Sequence, residues 1–376
     1  MPYILSVGTE SPPHYFSQEE VKNFVRELFH SQFRNIDRLL NIFHNGQIEG
    51  RYFSAPLEWF QKEHTFSEKN NLYIELAVEL GVKAIEKALH NVNFFAKPVP
   101  FKEIDAIFFI SSSGISTPSI DALIMNKLPF SNHLKRIPIW GLGCAGGAAG
   151  ISRAFEYCTA FPEANVLILS VELCSLTFQK GDLTKSNLIG TSLFADGVAC
   201  GLVCGDESTL LSTSRLRNSP YILGNSSAFM PESEDVMGWE IKNTGLHVIF
   251  SKDIPQIIEG WLKPNVVEFL EKYDLSIHQV QHFVAHPGGR KVLEAYERTL
   301  NLSEDKLSIS ADVLKKYGNM SSATILYVLQ QFLLQNLDEY DIGLLMALGP
   351  GFSSETVLLE WRKPEVKEKG KQNHAV

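Results

Sequence analysis

Cysteine is scarce in this chain, and long apolar runs are missing from it. Its 376 residues include five cysteines, an odd and sparse number that does not suit a disulfide framework and favours a reducing cytoplasm. The longest stretch free of charged and strongly polar side chains, 137–151, is shorter than the about 20 residues that a membrane-spanning helix needs. The N-terminal residues Met1 to Val7 lack the basic flank of a signal peptide. The sequence therefore predicts a cytoplasmic protein without a membrane span.

Basic side chains are in the minority. The 34 lysines and arginines against 43 aspartates and glutamates give a formal net charge of -9. This balance argues against general binding to nucleic acid or to an anionic membrane, although it leaves room for a local basic patch that binds a phosphorylated ligand. At 44% apolar residues the chain can bury a core, and its length suits two domains, or one large α/β domain, at about 150 residues per domain.

Short apolar strands alternate with helical stretches in both halves of the chain. Ser17 to Glu20 forms a capping box that starts a helix, and a longer amphipathic helix is predicted over 72–89. The predicted strands are 106–110, 137–140, 165–171, 198–204, 282–285, 342–347 and 356–359. The runs 106–110, 165–171 and 198–204 suit strands that are covered on both faces. The alternation of strands and helices predicts two related α/β halves with helices between and outside two sheets.

Cys144 is the first candidate for chemistry. It lies between an apolar strand and a helical stretch, in the glycine-rich turn 141–147, where glycines permit a tight turn and close approach of a ligand. A thiol at a helix N-terminus lies near the positive end of the helix dipole, which favours the thiolate. The alternative, a small buried apolar residue, is open for Cys144 and is our interpretation of the other four cysteines.

Two further residues could assist a cysteine nucleophile. His286 ends a buried strand at the carboxyl edge of a sheet, where α/β enzymes bind ligands, and it could serve as the base. Asn319 opens a helix, so its amide could cap that helix or could stabilise a developing oxyanion. His247 alternates with apolar neighbours in a strand and is predicted to belong to a pocket wall or to be structural. From the residues alone, both interpretations of Asn319 stay open.

These three residues stand in motifs that resemble those of the chalcone synthase-like, or type III polyketide synthase, family of thiolase-fold enzymes. The matching segments are 141–147 (GLGCAGG), 193–197 (LFADG), 286–289 (HPGG), 317–323 (YGNMSSA) and 349–352 (GPGF). The resemblance runs over 2–361 and is nearest to bacterial long-chain alkylpyrone synthases. It implies a thiolase-like α/β fold of duplicated αβαβα layered halves with two mixed sheets. The expected units are 1–212 with the cysteine, 213–362 with the histidine and asparagine, and a loose charged tail over 363–376.

The resemblance also implies roles for these residues. Cys144 carries the starter and the growing chain as a thioester, and His286 holds imidazolium beside the thiolate. His286 and Asn319 then bind the malonyl thioester carbonyl while loss of CO2 leaves an enolate for Claisen condensation. The substrates are acyl-CoA and malonyl-CoA. No cofactor and no metal site are expected, and the family implies a homodimer.

Several positions depart from the plant enzymes of the family. Phe194 matches a gating phenylalanine, but Val248 stands where a second one is found, so the cavity is expected to be wider there. Trp239 replaces a glycine and is expected to fill another part of it. Thr117 and Cys174 fall where bacterial long-chain relatives have small residues along an acyl tunnel. The predicted pocket and gate positions are Phe194, Val248, Thr117, Cys174, Thr177, Trp239 and Ser321, and the predicted CoA-binding positions are Arg38, Gly288 and Gly289.

This pattern predicts an enzyme that extends a long-chain fatty acyl-CoA with malonyl-CoA to alkylpyrones, or to alkylresorcinols after aldol closure. One alternative is an enzyme like ketoacyl-ACP synthase III, which performs a single condensation; a tri- or tetraketide product would separate the two. Another is a non-catalytic acyl-CoA-binding protein of the same fold. Selective alkylation of Cys144 would argue against that alternative, because it would reveal an activated thiol.

Overall fold

The computed structural model describes residues 1–30, 32 and 35–366, and strands and helices alternate along most of this length. The strands are β1 Tyr3–Glu10, β2 His14–Ser17, β3 Gly50–Phe53, β4 Ala106–Ser111, β5 Lys135–Trp140, β6 Asn165–Leu173, β7 Asp196–Cys204, β8 Ser219–Phe229, β9 Met237–Lys242, β10 Gly245–Phe250, β11 His282–Ala285, β12 Ile342–Gly349 and β13 Ser353–Arg362. The α-helices are α1 Gln18–Phe29, α2 Ile36–Leu39, α3 Asn41–Asn45, α4 Leu57–Phe60, α5 Phe66–His90, α6 Ile120–Met125, α7 Gly146–Ala160, α8 Lys185–Leu193, α9 Ile254–Glu271, α10 Arg290–Leu300, α11 Ser308–Tyr317 and α12 Thr324–Leu333. Two short 3₁₀ helices, Gly143–Ala145 and Ser321–Ala323, precede α7 and α12.

A mixed sheet of nine strands forms the centre of the molecule. Its order is β11-β12-β13-β8-β1-β7-β6-β4-β5, with β4 parallel to β5 and β6, β11 parallel to β12, and the other pairs antiparallel. Every residue of β4, β6 and β7 is buried, which confirms the prediction of apolar strands covered on both faces. β5 is an edge strand that tolerates Pro138, because an edge residue need not donate to a ladder.

The two expected sheets are joined edge to edge. β1 of the first half pairs with β8 of the second half at Tyr3 opposite Tyr221, and the two rings pack with centroids 4.7 Å apart. The backbone N–H of Ile222 also donates to the carbonyl of Pro2 at 2.9 Å. The thiolase-like α/β fold with mixed strands is therefore confirmed, but the expectation of two separate sheets is corrected to one continuous sheet.

Helices cover the sheet in the layered order that the resemblance implies. α7 contacts β6 of the first half as well as β13 and β8 of the second half, and α12 contacts β1, β7 and β11. These two helices therefore lie between the halves of the sheet. α5 packs against β1 and β7, while α9 and α10 pack together over the core of the second half. α1 begins at the predicted capping box, in which the Ser17 hydroxyl and the Glu20 carboxylate satisfy each other's backbone N–H groups.

Two small antiparallel ladders flank the central sheet. β2 pairs with β3, and β9 pairs with β10 in a hairpin that places Trp239 opposite Val248. All five cysteines are free and buried. Within the residues that the structure describes, none of the helices is long and apolar enough to cross a membrane. The division of the chain at 212 stays a prediction, and 367–376 of the predicted tail lies outside the described residues.

Candidate active site

Cys144, His286 and Asn319, which are all buried, line one small cavity, which we call the thiol cavity. The Cys144 Sγ atom lies 3.9 Å from Oδ1 and 4.0 Å from Nδ2 of Asn319. The full lining is Cys144, Met237, Phe250, Ile254, His286, Gly288, Val292, Tyr296, Asn319 and Leu348. The fold thus brings together three residues that are distant in sequence. Cys144 and His286 are 142 positions apart, and His286 and Asn319 are 33 positions apart.

The turn that holds Cys144 depends on glycine. Gly143 has φ +47, and a Cβ atom there would lie 2.7 Å from the Cδ atom of Pro350, so another residue at this position would be both strained and crowded. Gly147 is approached equally closely, because its Cβ would meet the carbonyl oxygen of Ser322 at 2.2 Å. The strand β5, this turn and the 3₁₀ helix Gly143–Ala145 therefore carry the thiol to the start of α7, as the sequence predicts.

The Asn319 amide is held on both of its polar atoms. Its Oδ1 accepts the backbone N–H of Ser321 at 2.8 Å, and its Nδ2 donates to the carbonyl of Gly288 at 3.0 Å. The first bond closes a local turn just before the 3₁₀ helix Ser321–Ala323, whose N-cap is Met320 without a side-chain hydrogen bond, so Asn319 does not cap this helix. The second bond leaves one N–H of the amide available on the side of the Cys144 sulfur. The capping interpretation of Asn319 is therefore wrong, and its role toward an oxyanion stays a prediction.

His286 is fixed through its backbone, while its ring is left available. Its N–H donates to the carbonyl of Met346 at 2.9 Å, which extends the parallel pairing of β11 and β12 by one residue. Neither ring nitrogen has a hydrogen-bond partner among the described residues, although the side chain is buried. An imidazole in this position can accept a proton or donate a hydrogen bond to a ligand in the cavity.

Burial favours the uncharged forms of both groups. It raises the pKa of the Cys144 thiol to about 12, against the opposing effect of hydrogen bonds from Ser321 and Asn319. It lowers the pKa of His286 to about 3. Each group is therefore costly to charge alone, and burial favours the neutral thiol beside the neutral imidazole.

Glu172 is a buried acidic residue close to the site. Its carboxylate accepts hydrogen bonds from the hydroxyls of Ser112 at 3.0 Å, Ser113 at 2.8 Å and Ser322 at 2.5 Å. Burial raises the pKa of this carboxyl group, and its charge in turn raises the pKa of Cys144. The sequence signal for Glu172 was an acidic residue at the end of an apolar run. It lies in β6, all of which is buried, but the predicted strand stopped one residue before it.

A second cavity, which we call the gate cavity, is lined by four of the predicted pocket residues: Phe194, Val248, Cys174 and Thr177. Its full lining is Val21, Phe24, Phe53, Phe60, Cys174, Ser175, Thr177, Phe178, Asn187, Gly190, Thr191, Phe194 and Val248. The Trp239 ring packs on Phe194 with centroids 5.8 Å apart, and Phe250 of the thiol cavity approaches the same ring at 6.5 Å. Phe194 therefore lies between the two cavities.

Arg51 fixes the backbone of this gate and was missed by the sequence analysis. Its guanidinium is fully buried and donates to the carbonyls of Thr191 and Phe194, each at 2.7 Å, and to the Gln18 side chain at 3.0 Å. Burial lowers the pKa of Arg51 to about 9, while Asp196 acts in the opposite direction. No local pattern marks such a residue, because Gln18 lies 33 positions away in the chain and Thr191 and Phe194 lie 140 and 143 positions away.

Of the remaining predicted residues, some lie at the thiol cavity and others lie away from both cavities. Gly288 lines the thiol cavity, Gly289 follows it beside Leu193, and Ser321 is buried against the Cys144 sulfur. Thr117 and Arg38 are exposed and are not among the described residues that line either cavity, so their assignments stay predictions. His247 is structural as predicted, because its ring bonds Thr244 at 2.8 Å and Asp182 at 3.2 Å. Over 1–30, 32 and 35–366, no group of three or more His, Cys, Asp or Glu side chains is placed to hold a metal ion.

Comparison with known proteins gives consistent matches over nearly the whole chain. The model of the N-terminal domain of chalcone and stilbene synthases matches residues 2–207, and that of their C-terminal domain matches 222–361. A putative chalcone synthase of Bacillus subtilis strain 168 is 53% identical over 365 residues, which cover 96% of this chain and 100% of the relative.

Two solved structures are also similar to this chain over nearly its whole length. The structure of 1,3,6,8-tetrahydroxynaphthalene synthase from Streptomyces coelicolor A3(2), a bacterial type III polyketide synthase, superposes with a TM-score of 0.88 at 29% identity, covering 96% of this chain and 99% of that one. The structure of PKS-I from the brown alga Ectocarpus siliculosus gives a TM-score of 0.84 at 25% identity, covering 96% and 98%.

Proposed function

Because the chain belongs to the chalcone and stilbene synthase family, we propose that this type III polyketide synthase takes a long-chain fatty acyl-CoA as its starter. It extends the starter by iterative condensation with malonyl-CoA and cyclises the product to alkylpyrones, or to alkylresorcinols where ring closure is an aldol reaction. The observation that carries this proposal is the largely apolar gate cavity beside Val248, which α1, α4 and α8 enclose.

Loading begins at Cys144. Its thiol gives its proton to His286, and the resulting thiolate attacks the thioester carbonyl of the starter acyl-CoA. The bond between the acyl carbon and the CoA sulfur breaks, and the CoA thiolate leaves with the proton that His286 holds. The unpartnered imidazole and its place beside Cys144 support this role, because a neutral imidazole can take the proton within the cavity.

Extension uses His286 and Asn319 together. An imidazole N–H and the Nδ2–H of Asn319 donate hydrogen bonds to the malonyl thioester carbonyl, and loss of CO2 then leaves an enolate whose oxygen these donors stabilise. The enolate carbon attacks the acyl group on Cys144, and the cysteine sulfur is released as thiolate for the next round. Fixed donors suit this step, because charge develops on one oxygen in a cavity with a mainly apolar wall.

The gate cavity supports an alkyl starter in particular. Aromatic and aliphatic side chains supply most of its wall, and each methylene group of a buried alkyl chain contributes about 0.8 kcal/mol to binding. Val248 leaves space that a phenylalanine would fill, while Trp239 across the hairpin closes the other side. An alkyl chain bound there would pass Phe194 while its thioester stays at Cys144.

The CoA entrance and the assembly are also proposed. Gly288 and Gly289 lack side chains beside the thiol cavity and would admit a narrow pantetheine arm, and Arg38 supplies positive charge for the nucleotide phosphates. We expect a homodimer that covers the open edge of β5, where Trp140 is 51% exposed. CoA substrates and five free cysteines favour action in the cytoplasm.

The decisive experiment incubates purified enzyme with radiolabelled malonyl-CoA and a series of starters from short to long acyl-CoA, with an aromatic acyl-CoA and malonyl-CoA alone as controls. We expect tri- and tetraketide alkylpyrones from the long-chain starters, identified by mass spectrometry. Exclusive use of aromatic starters, or an aromatic product from malonyl-CoA alone, would refute the long-chain proposal. A single β-ketoacyl product would favour the alternative of an enzyme like ketoacyl-ACP synthase III. Binding of acyl-CoA without any new product would favour the alternative of a non-catalytic acyl-CoA-binding protein.

A further inference from the structure

Tyr296 lines the thiol cavity together with Cys144, His286 and Asn319. Tyr296 lies on α10 four residues after Val292, so both side chains point to the same face of the helix and line the cavity. Apart from these residues and Gly288, the other described lining residues are apolar, namely Met237, Phe250, Ile254, Val292 and Leu348. Tyr296 therefore contributes a hydroxyl to a cavity whose other polar side chains are those of Cys144, His286 and Asn319 among the described lining residues.

This hydroxyl has no hydrogen-bond partner among the described residues, and Tyr296 is 0% exposed. Other buried tyrosines of the chain do find partners. The Tyr73 hydroxyl donates to Ser111 at 2.7 Å, and the Tyr327 hydroxyl donates to the carbonyl of Glu10 at 2.6 Å. A buried hydroxyl without a partner destabilises the fold, whereas phenylalanine would fill the same volume without that cost. The structure thus leaves the Tyr296 hydroxyl available for an atom that enters the cavity.

The electrostatic surroundings keep this hydroxyl a donor. Burial raises the pKa of Tyr296 far above its usual range, and the charge of an ionised Cys144 raises it further. The second effect also indicates that the phenol is near the sulfur. A protonated phenol beside the reacting thioester can donate one hydrogen bond, and an oxygen acceptor is what a thioester brings into the cavity.

We propose that the Tyr296 hydroxyl binds a carbonyl oxygen of the CoA thioester in the thiol cavity, as a further donor beside His286 and Asn319. This inference rests on the proposed function, because it requires a thioester at Cys144. Two thioesters enter the cavity in turn, the starter and the malonyl extender, and both offer the same carbonyl chemistry. Tyr296 is then a catalytic residue in the strict sense, since its hydroxyl contacts the substrate.

The test compares Tyr296→Phe with Tyr327→Phe, a matched removal of a buried hydroxyl outside both cavities. Three quantities are measured: kcat/KM for decarboxylation of malonyl-CoA, the single-turnover rate of Cys144 acylation by the starter, and the melting temperature. For Tyr296→Phe we expect one of the two rates to fall about tenfold, which corresponds to about 1.4 kcal/mol and to one hydrogen bond. Its melting temperature should equal or exceed that of the wild type.

The control should behave in the opposite way. Tyr327→Phe loses a satisfied hydrogen bond, so its melting temperature should fall while both rates stay within about twofold of wild type. A fall in decarboxylation assigns the Tyr296 contact to the malonyl thioester, and a fall in acylation assigns it to the starter. Alkylation of Cys144 by iodoacetamide should be equal in Tyr296→Phe and wild type, because the phenol acts on the substrate and not on the thiol.

Two outcomes would overturn the inference. If both rates are unchanged in Tyr296→Phe while the wild type is active, Tyr296 binds no substrate oxygen and the proposed function still stands. If the rates fall together with the melting temperature and the alkylation rate, the hydroxyl has a structural role only. A wild-type enzyme that neither accepts an acyl group from CoA nor decarboxylates malonyl-CoA would instead refute the proposed function, and the inference with it.

Discussion

The backbone of Phe194 pairs with that of Asn319 in a parallel bridge. The N–H of Asn319 donates to the carbonyl of Leu193 at 3.0 Å, and the N–H of Ala195 donates to the carbonyl of Asn319 at 2.8 Å. The aromatic gate and the amide that faces the Cys144 sulfur therefore lie on neighbouring backbone segments, so a displacement of one moves the other. These two hydrogen bonds hold the backbone around Phe194 against that of Asn319.

Arg51 should be needed to hold this pair. Arg51→Met removes the donors to Thr191, Phe194 and Gln18 and leaves buried acceptors unsatisfied, which should lower the free energy of unfolding by about 3 kcal/mol. Urea unfolding measures the change. Arg26→Met, which removes an exposed ion pair with Asp37, is the control and should change stability little. Equal effects of the two substitutions would contradict the role given to Arg51.

The sequence carried the local part of this structure and not the long-range part. The capping box from Ser17 to Glu20 and the strand that ends at His286 are specified by neighbours a few positions away, and both were predicted. A second capping box, Thr65 with Glu68, was also readable, but the predicted helix began at Leu72 and missed the first turns of α5. Local signals were thus sufficient where they were used.

Other features depend on distant partners. The joining of the two sheets rests on Tyr3 meeting Tyr221, a contact that no local pattern encodes. In the same way, Tyr296 reads in sequence as one more apolar position of an amphipathic helix. That its hydroxyl is unpartnered and that it lines the same cavity as Cys144 follows only from the packing of α10 against the cavity. The three motif residues could be found because a family pattern marks them, whereas Tyr296 carries no such mark.

Val248 should set the length of the starter. Val248→Phe would place a ring between Gly190 and Trp239 and narrow the gate cavity, so we expect kcat/KM for the longest acyl-CoA to fall at least about tenfold and short starters to be affected less. Ile249→Phe is the matched control, because successive side chains of a strand point to opposite faces. A chain-length profile that is unchanged by Val248→Phe, or changed equally by the control, would argue against an acyl chain in the gate cavity.

Arg38 should act on the nucleotide part of the substrate. Arg38→Ala should raise KM for malonyl-CoA severalfold at unchanged kcat, with a smaller effect at high ionic strength because exposed charges are screened. The matched substrate is malonyl-N-acetylcysteamine, which has the thioester but no nucleotide, and its KM should not change. If both substrates respond equally to the substitution, Arg38 does not bind the CoA phosphates.

Asp196 should make stability depend on pH. Burial raises its pKa from 3.8 to about 6, despite hydrogen bonds from Ser175 and Ser54. Because the folded state binds the proton more tightly than the unfolded state, this carboxyl group should lower stability as pH rises from about 4 to 6, by about 3 kcal/mol in total. The free energy of unfolding of the wild type should therefore fall relative to that of Asp196→Asn as pH rises over this range. A difference that is constant with pH would show that Asp196 keeps an ordinary pKa.

The pH profile of Cys144 alkylation tests the proton transfer to His286. In the wild type the thiol proton moves to the imidazole within the site, so the iodoacetamide rate should be nearly constant from about pH 6 to 9. In His286→Gln the proton must leave to solvent against a thiol pKa that burial raises to about 12, so the rate should be lower and should rise about tenfold per pH unit.

Polyketide formation should be abolished in His286→Gln and in Cys144→Ala. Because the other cysteines are buried too, Cys144→Ala also gives the background of labelling. Parallel profiles in wild type and His286→Gln would mean that His286 is not the base, and the roles of the two residues would have to be reassigned.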